Sequence, residues 1–220
     1  MQVVEIFKSI DGEGKRTGLP TTFIRLYGCN LHCSYCDTRY GCEGGGYTEM
    51  GVDEIVSQCQ RLNTTSITLT GGEPLIHPGV GTLVRELLTK GFWVNVETNG
   101  TVDVRRFREC MPLAYSSQLF FTVDYKCPSS GMNRQMLTDM YKDLAQCDVI
   151  KFVVGSKEDL DAAKRILEYS QPQAEVYFSP VFGEIEPVEI VNYILEHELH
   201  NCKVQLQLHK IIWKPEVRGV

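Results

Sequence analysis

Apolar positions along this chain fall into two alternating rhythms. Val52, Ile55, Val56, Cys59 and Leu62 repeat at helical spacing and predict a helix over 52–63, and the β-branched run 66–70 that follows predicts a strand. The same pair of signals then recurs. Val80, Leu83, Val84, Leu87 and Leu88 mark a helical face before a strand at 92–96, and a helix near 104–110 leads to a strand at 119–123. Met136, Leu137, Met140, Tyr141 and Leu144 predict a helix before a strand at 149–154. Ser156 is placed to cap a helix carrying Leu160, Ala163, Ile166 and Leu167, which leads to a strand at 176–178. A helix over 187–197 and a strand at 204–208 close the series, and a buried strand at 22–27 opens it.

Seven strands joined by helical crossovers must run parallel with right-handed connections, which leaves an α/β barrel or a doubly wound sheet. Seven is one short of a full barrel, and 220 residues fall below its usual length of about 250. The expectation is an open, partial parallel β/α barrel, about six β/α units plus a terminal strand. No linker or composition break divides the chain, so 1–220 reads as a single domain. Ahead of the repeats, a short strand at 3–8 is followed by Asp11-Gly12-Glu13-Gly14 and Gly18-Leu19-Pro20, an acidic loop dense in turn residues.

In parallel α/β folds, active sites form at the C-terminal ends of the strands. Six stretches sit just past predicted strand ends here: Cys29 to Thr38, Gly71-Gly72-Glu73-Pro74, Glu97-Thr98-Asn99-Gly100, Asp124-Tyr125-Lys126, Ser179-Pro180 and His209-Lys210. The first holds Cys29, Cys33 and Cys36 in a C-x3-C-x2-C spacing, which chance produces in roughly 1.5 per cent of chains with this cysteine content. Thiolates suit iron-sulfur clusters, and a 4Fe-4S cube with three protein ligands keeps one iron open for reaction. A zinc site completed by His32 satisfies the same spacing. Gly71 and Gly72 lack a Cβ, so a ligand can approach their backbone closely, and Glu73 follows; such a run is also an ordinary turn.

Cys42, Cys59, Cys110, Cys127, Cys147 and Cys202 have no ligand spacing among themselves, and most read as small apolar residues. Nine cysteines, an odd count in a chain too large to need stapling, fit a reducing cytoplasm. The first residues show no basic segment leading into an apolar run, and no stretch of 18 apolar residues occurs, so neither a leader nor a membrane span is expected. A net charge of -6 and a pI near 5.4 argue against nucleic-acid and anionic-membrane surfaces, which need clustered positive charge. A small-molecule ligand remains.

With the cysteine triple after the first parallel strand, Gly-Gly-Glu-Pro after the second and a shortened barrel, the chain resembles radical S-adenosylmethionine enzymes. Ile10-Asp11-Gly12-Glu13-Gly14, Phe23-Ile24-Arg25, Cys36-Asp37-Thr38, Leu69-Thr70-Gly71-Gly72-Glu73-Pro74 and Gln207-Leu208-His209-Lys210 are similar, within that superfamily, to the 7-carboxy-7-deazaguanine synthase family. The likeness runs from residue 3 to about 215. It implies a lyase that contracts 6-carboxy-5,6,7,8-tetrahydropterin to 7-carboxy-7-deazaguanine with release of ammonia, on the route to queuosine and related 7-deazapurines. The implied cofactors are a 4Fe-4S cluster, S-adenosylmethionine and Mg2+. The implied partners are a second copy of the chain and an external flavodoxin-like or ferredoxin-like electron donor.

The resemblance also assigns roles by position. Cys29, Cys33 and Cys36 would hold the cluster, and Thr38 the magnesium ion with Asp37 beside it. Tyr35, Gly72, Glu73, Glu97, Asn99, Asp124, Tyr125, Lys126 and Ser179 would meet S-adenosylmethionine. Ile10, Asp11, Gly12, Glu13, Arg25, Thr70, His209 and Pro215 would meet the pterin, with Glu13, Arg25 and Asp37 in the catalytic set. Some relatives end at the position of Pro215 and close the pocket with that end, whereas Glu216 to Val220 follow here. A glycyl-radical-enzyme activase shares the size and cysteine spacing, but the acidic Gly-Glu-Gly loop and the terminal His-Lys suit a polar heterocycle better.

Arg25 stands inside an apolar strand, where an inward charge is costly unless paired. Phe23, Arg25 and Tyr27 share one face, two residues before the cysteine loop begins. An inward guanidinium can grip a substrate carboxylate through two parallel hydrogen bonds, and an outward one pairs with a helix carboxylate. Glu13 is expected on a flexible loop, accepting from the pterin's N–H groups.

Overall fold

The computed structural model describes residues 1–214 and 217–220. Among them, nine strands form one sheet: β1 (Gln2–Ile10), β2 (Pro20–Leu26), β3 (Thr48–Glu49), β4 (Ser66–Gly71), β5 (Trp93–Thr98), β6 (Leu119–Lys126), β7 (Val149–Val154), β8 (Glu175–Pro180) and β9 (Cys202–Val204). Their order is β3-β1-β2-β4-β5-β6-β7-β8-β9, and every pairing from β2 to β9 is parallel. The seven predicted strands are therefore present as a run of parallel neighbours. The sheet does not close, and the fold is the partial, open β/α barrel that the spacing predicts. β1 is antiparallel to β2, and the short β3 pairs antiparallel to β1, an edge the periodicity did not reveal.

Helices α1 (Val52–Leu62), α2 (Val80–Thr89), α3 (Val104–Glu109), α4 (Lys157–Ser170) and α5 (Pro187–Glu196) cross between successive parallel strands. Alternation along each strand separates two layers. Ile67, Leu69, Val94, Val96, Phe121, Val123, Ile150, Phe152 and Phe178 are buried in the hydrophobic core with α2 residues such as Leu83 and Leu87. Phe152 and Phe178 stack at 5.2 Å between ring centroids. Emptying such a site is costly: Leu87, with no exposed surface, is worth about 2–5 kcal/mol against alanine. The other face is polar, carrying Thr68, Asn95, Thr122, Asp124 and Lys151 into the barrel lumen.

Two predicted elements take another form. The stretch expected as a helix around 136–144 consists of 3-10 turns, Asn133–Gln135 and Thr138–Asp143. Its apolar spacing marks burial of Met140 and Tyr141, which a three-residue repeat satisfies as well as an α-helix does, and Leu137 N is drawn to Gly100 O at 3.3 Å. The terminal strand pairs only over Cys202–Val204, not 204–208. Gln205 N still donates to Phe178 O on β8 at 2.8 Å, but its side chain turns to Gly14 and Thr17, and beyond it Leu208 N donates to Gly12 O at 3.1 Å, away from the sheet. The short helix α6 (Leu208–Ile212) follows. These bonds lay the chain's last segment against the loop after β1, across the gap that the open sheet leaves.

Candidate active site

The lumen and the loops at the strand ends enclose a cavity of about 850 Å³, a volume suited to a small molecule and its cofactor. The cysteine loop forms one side. Gly28, at φ 100, turns the chain out of β2, and its N–H is held by Gly41 O at 2.7 Å. The end of β4 lies directly on this loop: Gly72 N donates to Leu26 O at 3.1 Å and Glu73 N to Gly28 O at 2.8 Å. A Cβ on Gly72 would run into the Gly28 carbonyl. The close approach expected toward a ligand is thus made first to the cysteine loop itself.

Glu73 departs from its expected role. It is fully buried, accepting from Leu75 N (2.9 Å), Thr98 Oγ1 (2.8 Å) and Asn99 N (2.6 Å), so its carboxylate clasps β4 to β5 instead of facing the cavity. Burial pushes it up to about 7 against those hydrogen bonds. Tyr125 is also turned away, since alternation sends it to the outer layer, where it packs on Tyr141 and Phe152. Ser179 is buried outside the cavity wall with its hydroxyl unpartnered among the described residues. Pro215 lies outside the described residues.

Cys29, Cys33 and Cys36 are free thiols lining the cavity together. Cys42, expected as a packing residue, lines it too, with its Sγ donating to Thr38 O at 3.9 Å; the neighbouring Cys42 thiol lowers Cys29 and Cys36 to about 6, while burial raises Cys33. His32 is largely exposed with its Nδ1 2.9 Å from Glu43 Oε1, so it does not complete a zinc site. Among the described residues, no three His, Cys, Asp or Glu side chains meet at one ion. Donors spread along a cavity wall fit a cube, whose thiolates attach to separate irons, better than they fit one tetrahedral ion. Asn99 Nδ2 adds a contact of 3.6 Å to Cys29 Sγ.

Asp37 and Thr38 stand at the rim. Thr38 Oγ1 donates to Asp37 Oδ1 at 2.9 Å, which leaves the hydroxyl's lone pairs free, and Asp37 Oδ2 meets Lys210 Nζ at 3.0 Å. Burial alone would raise Asp37, but Lys210 and Thr38 hold it at about 2. An oxygen pair of this kind fits a magnesium ion that keeps most of its waters.

The cavity floor is built from charge. Glu13 is largely enclosed and paired through both oxygens: Lys151 Nζ sits 2.6 Å from Oε2, and Gln207 Nε2 donates to Oε1. Burial works to raise its pKa, and Lys151, Gln207 and His209 together hold it below the ordinary value. Asp124 meets Lys126 at 2.8 Å and Lys151 at 3.5 Å, while its Oδ1 is buried with no partner among the described residues. Asp11 takes Thr68 Oγ1 at 3.0 Å, and burial with Glu97 nearby pushes it up to about 7. His209 packs against Gly12, and burial lowers its pKa. Ile10, Tyr35, Thr70 and Glu97 complete the expected residues that reach the cavity.

Of the two directions open to Arg25, the structure takes the inward one, and its partner is Glu5 on β1, 2.7 Å from Nε. Tyr40 donates to the same oxygen at 2.9 Å. The two Nη groups have no protein acceptor among the described hydrogen bonds and remain for an anion. Arg218, in the segment beyond Pro215, lies 3.9 Å over the Tyr40 ring, so this extension also lines the cavity. Lys151, Tyr40 and Arg218 were not singled out from the sequence, and Gln207 was quoted only within its motif, without a role. Lys151 left a signal, as the lone charge in the apolar run 149–154.

Residues 23–124 match the Radical SAM superfamily. The chain is 43% identical over 223 residues to the 7-carboxy-7-deazaguanine synthase of Clostridium acetobutylicum, covering all of this chain and 99% of that protein. It is 40% identical to the synthase of Methanospirillum hungatei, covering 98% of this chain and 86% of the relative. Among solved structures, QueE from Escherichia coli superposes with a TM-score of 0.73 at 23% identity, covering 94% and 93% of the two chains, a likeness of fold.

Proposed function

Because the chain belongs to the 7-carboxy-7-deazaguanine synthase family, we propose that it contracts 6-carboxy-5,6,7,8-tetrahydropterin to 7-carboxy-7-deazaguanine with release of ammonia, as a radical SAM lyase. The observation that carries this reading is a single cavity lined by three thiols, an inward guanidinium and a buried, ionised carboxylate. When bound, a reduced 4Fe-4S cluster with S-adenosylmethionine supplies the 5′-deoxyadenosyl radical that takes a hydrogen atom from the substrate.

The chain's own residues do the rest. Cys29, Cys33 and Cys36 hold the cluster, and Asp124, with its unpartnered oxygen, and Lys126 offer an acceptor and a donor to S-adenosylmethionine. Arg25 receives the substrate carboxylate on its free Nη pair, a geometry that lysine does not reproduce. Glu13 accepts from the heterocycle's N–H edge. Thr38 gives magnesium one oxygen, the substrate and water giving others, with Asp37 oriented beside it. Asp11, raised by burial to about 7 and so partly protonated at neutral pH, has a buried Oδ2 without a partner among the described residues and is placed to exchange a proton inside the cavity. No helix among the described residues is long and apolar enough to cross a membrane. We read the protein as one cytoplasmic catalytic domain acting as a homodimer and drawing electrons from a flavodoxin-like or ferredoxin-like donor.

The test is an anaerobic incubation with reductant, S-adenosylmethionine, Mg2+ and the carboxytetrahydropterin, read by mass spectrometry. The expected result is loss of ammonia from the pterin with formation of 7-carboxy-7-deazaguanine. Cleavage of S-adenosylmethionine with the pterin left intact overturns the substrate assignment.

A further inference from the structure

Every side chain of β7 is apolar except that of Lys151, which is only 9% exposed. A buried ammonium persists where carboxylates offset its desolvation. Lys151 has two: Glu13 Oε2 at 2.6 Å and, more loosely, Asp124 Oδ2 at 3.5 Å. They arrive from different parts of the chain. Asp124 is its register neighbour on β6, whereas Glu13 comes from the loop after β1, 138 positions away. Asp124 is itself balanced by Lys126, so the stronger contact of Lys151 is left for Glu13.

Building on the function proposed above, we propose that Lys151 is a positioning residue for the substrate: anchored by Asp124, it keeps Glu13 ionised and turned toward the N–H edge of the heterocycle. Lys151 on β7 and Gln207 and His209 from the last segment act on Glu13 directly, Asp11 faces it from its own loop, and Glu97 on β5 and Asp124 on β6 face Lys151. Three of them are carboxyls. Without the lysine, burial and like charge drive Glu13 toward its protonated form, which offers the substrate fewer acceptor sites. A methionine at 151 therefore imitates loss of the Glu13 charge near neutral pH, and alkali restores that charge.

The experiment uses cluster-loaded protein with 6-carboxy-5,6,7,8-tetrahydropterin as the probe, measuring KM and kcat between about pH 6 and 9, alongside iron content and S-adenosylmethionine affinity. Lys151→Met is expected to raise KM roughly tenfold or more at neutral pH, with iron and S-adenosylmethionine binding as in wild type. The ratio of its KM to the wild-type KM should fall as pH rises, and Lys151→Arg recovers most of the loss. The double variant Glu13→Gln/Lys151→Met removes the charges as a pair and keeps the test open should the single variant not fold. Its KM is expected to match that of Glu13→Gln alone. An unchanged KM in Lys151→Met, a raised KM ratio without pH dependence, or additive losses in the double variant overturns the inference. Direct titration of the pterin into wild-type protein separates the levels: no binding there defeats the functional reading, and this inference with it.

Discussion

The two ends of the cavity are made of different materials. At the cysteine end, backbone lies on backbone: Gly72 and Glu73 bond to Leu26 and Gly28, and the Cys29–Thr38 loop is one short stretch of chain. At the floor, side chains from remote positions meet, with Glu13 reaching Lys151 and Gln207 across 138 and 194 positions. The first construction has no spare volume. The second has room but no spare charge, since each buried ion there depends on a partner. The contrast predicts that added atoms damage the cysteine end, and that altered charge damages the floor.

The largest effect is expected at the thiols. Alanine at Cys29, Cys33 or Cys36 should abolish both iron binding and turnover, whereas Cys59→Ala, on the buried face of α1, should leave iron near the wild-type content; iron analysis after anaerobic reconstitution decides. Close behind is Gly72→Val. Its side chain collides with Gly28, so iron content should fall along with cleavage of S-adenosylmethionine. Full iron with lost cleavage would mean that the glycine serves the cofactor and not the loop.

A buried carboxyl in each region sharpens the comparison through pH. Burial pushes both Asp11 and Glu73 to about 7. A carboxyl whose folded pKa lies above its unfolded value takes up a proton on folding. Its contribution to stability is complete below the unfolded pKa and is lost as pH rises through about 7, by up to about 4 kcal/mol for Asp11 and about 3 kcal/mol for Glu73. Urea unfolding should therefore show less of this pH-linked loss in Asp11→Asn and in Glu73→Gln than in wild type. Equal pH slopes in variant and wild type would show that the group is ionised in the folded protein.

Smaller effects belong to the substrate wall. Arg25→Lys keeps a cation beside Glu5 but loses the planar fork, and KM for the carboxytetrahydropterin should rise about tenfold, or about 1.4 kcal/mol, with the cluster intact. A wild-type KM would remove Arg25 from substrate binding. Arg218→Ala should cost least. Losing its stack on Tyr40 is worth about 0.5–1 kcal/mol, a few-fold in KM, without change in iron. A loss as large as that of Arg25→Lys would make the chain's last residues part of the binding site proper.

The sequence by itself determined the parallel strands and the cysteine loop, because both are written locally. Apolar periodicity needs only neighbouring residues, and three thiols within eight positions reach the same cavity wall by chain connectivity alone. Alternation put Arg25 on one face with Phe23 and Tyr27 for the same reason, but left open which face meets the lumen. The helix expected at 136–144 and the strand expected at 204–208 went differently because spacing reports which residues are buried and not what buries them. Gly100 draws Leu137, and Gly14 draws Gln205. Only the tertiary structure decided that Glu73 is a clasp, that Tyr125 faces the core, that Cys42 joins the thiols and that Glu13 is locked to Lys151. Each of these depends on a partner far away in the chain, or on which side of a strand or loop meets the lumen, and neither is set by a residue's immediate neighbours in sequence.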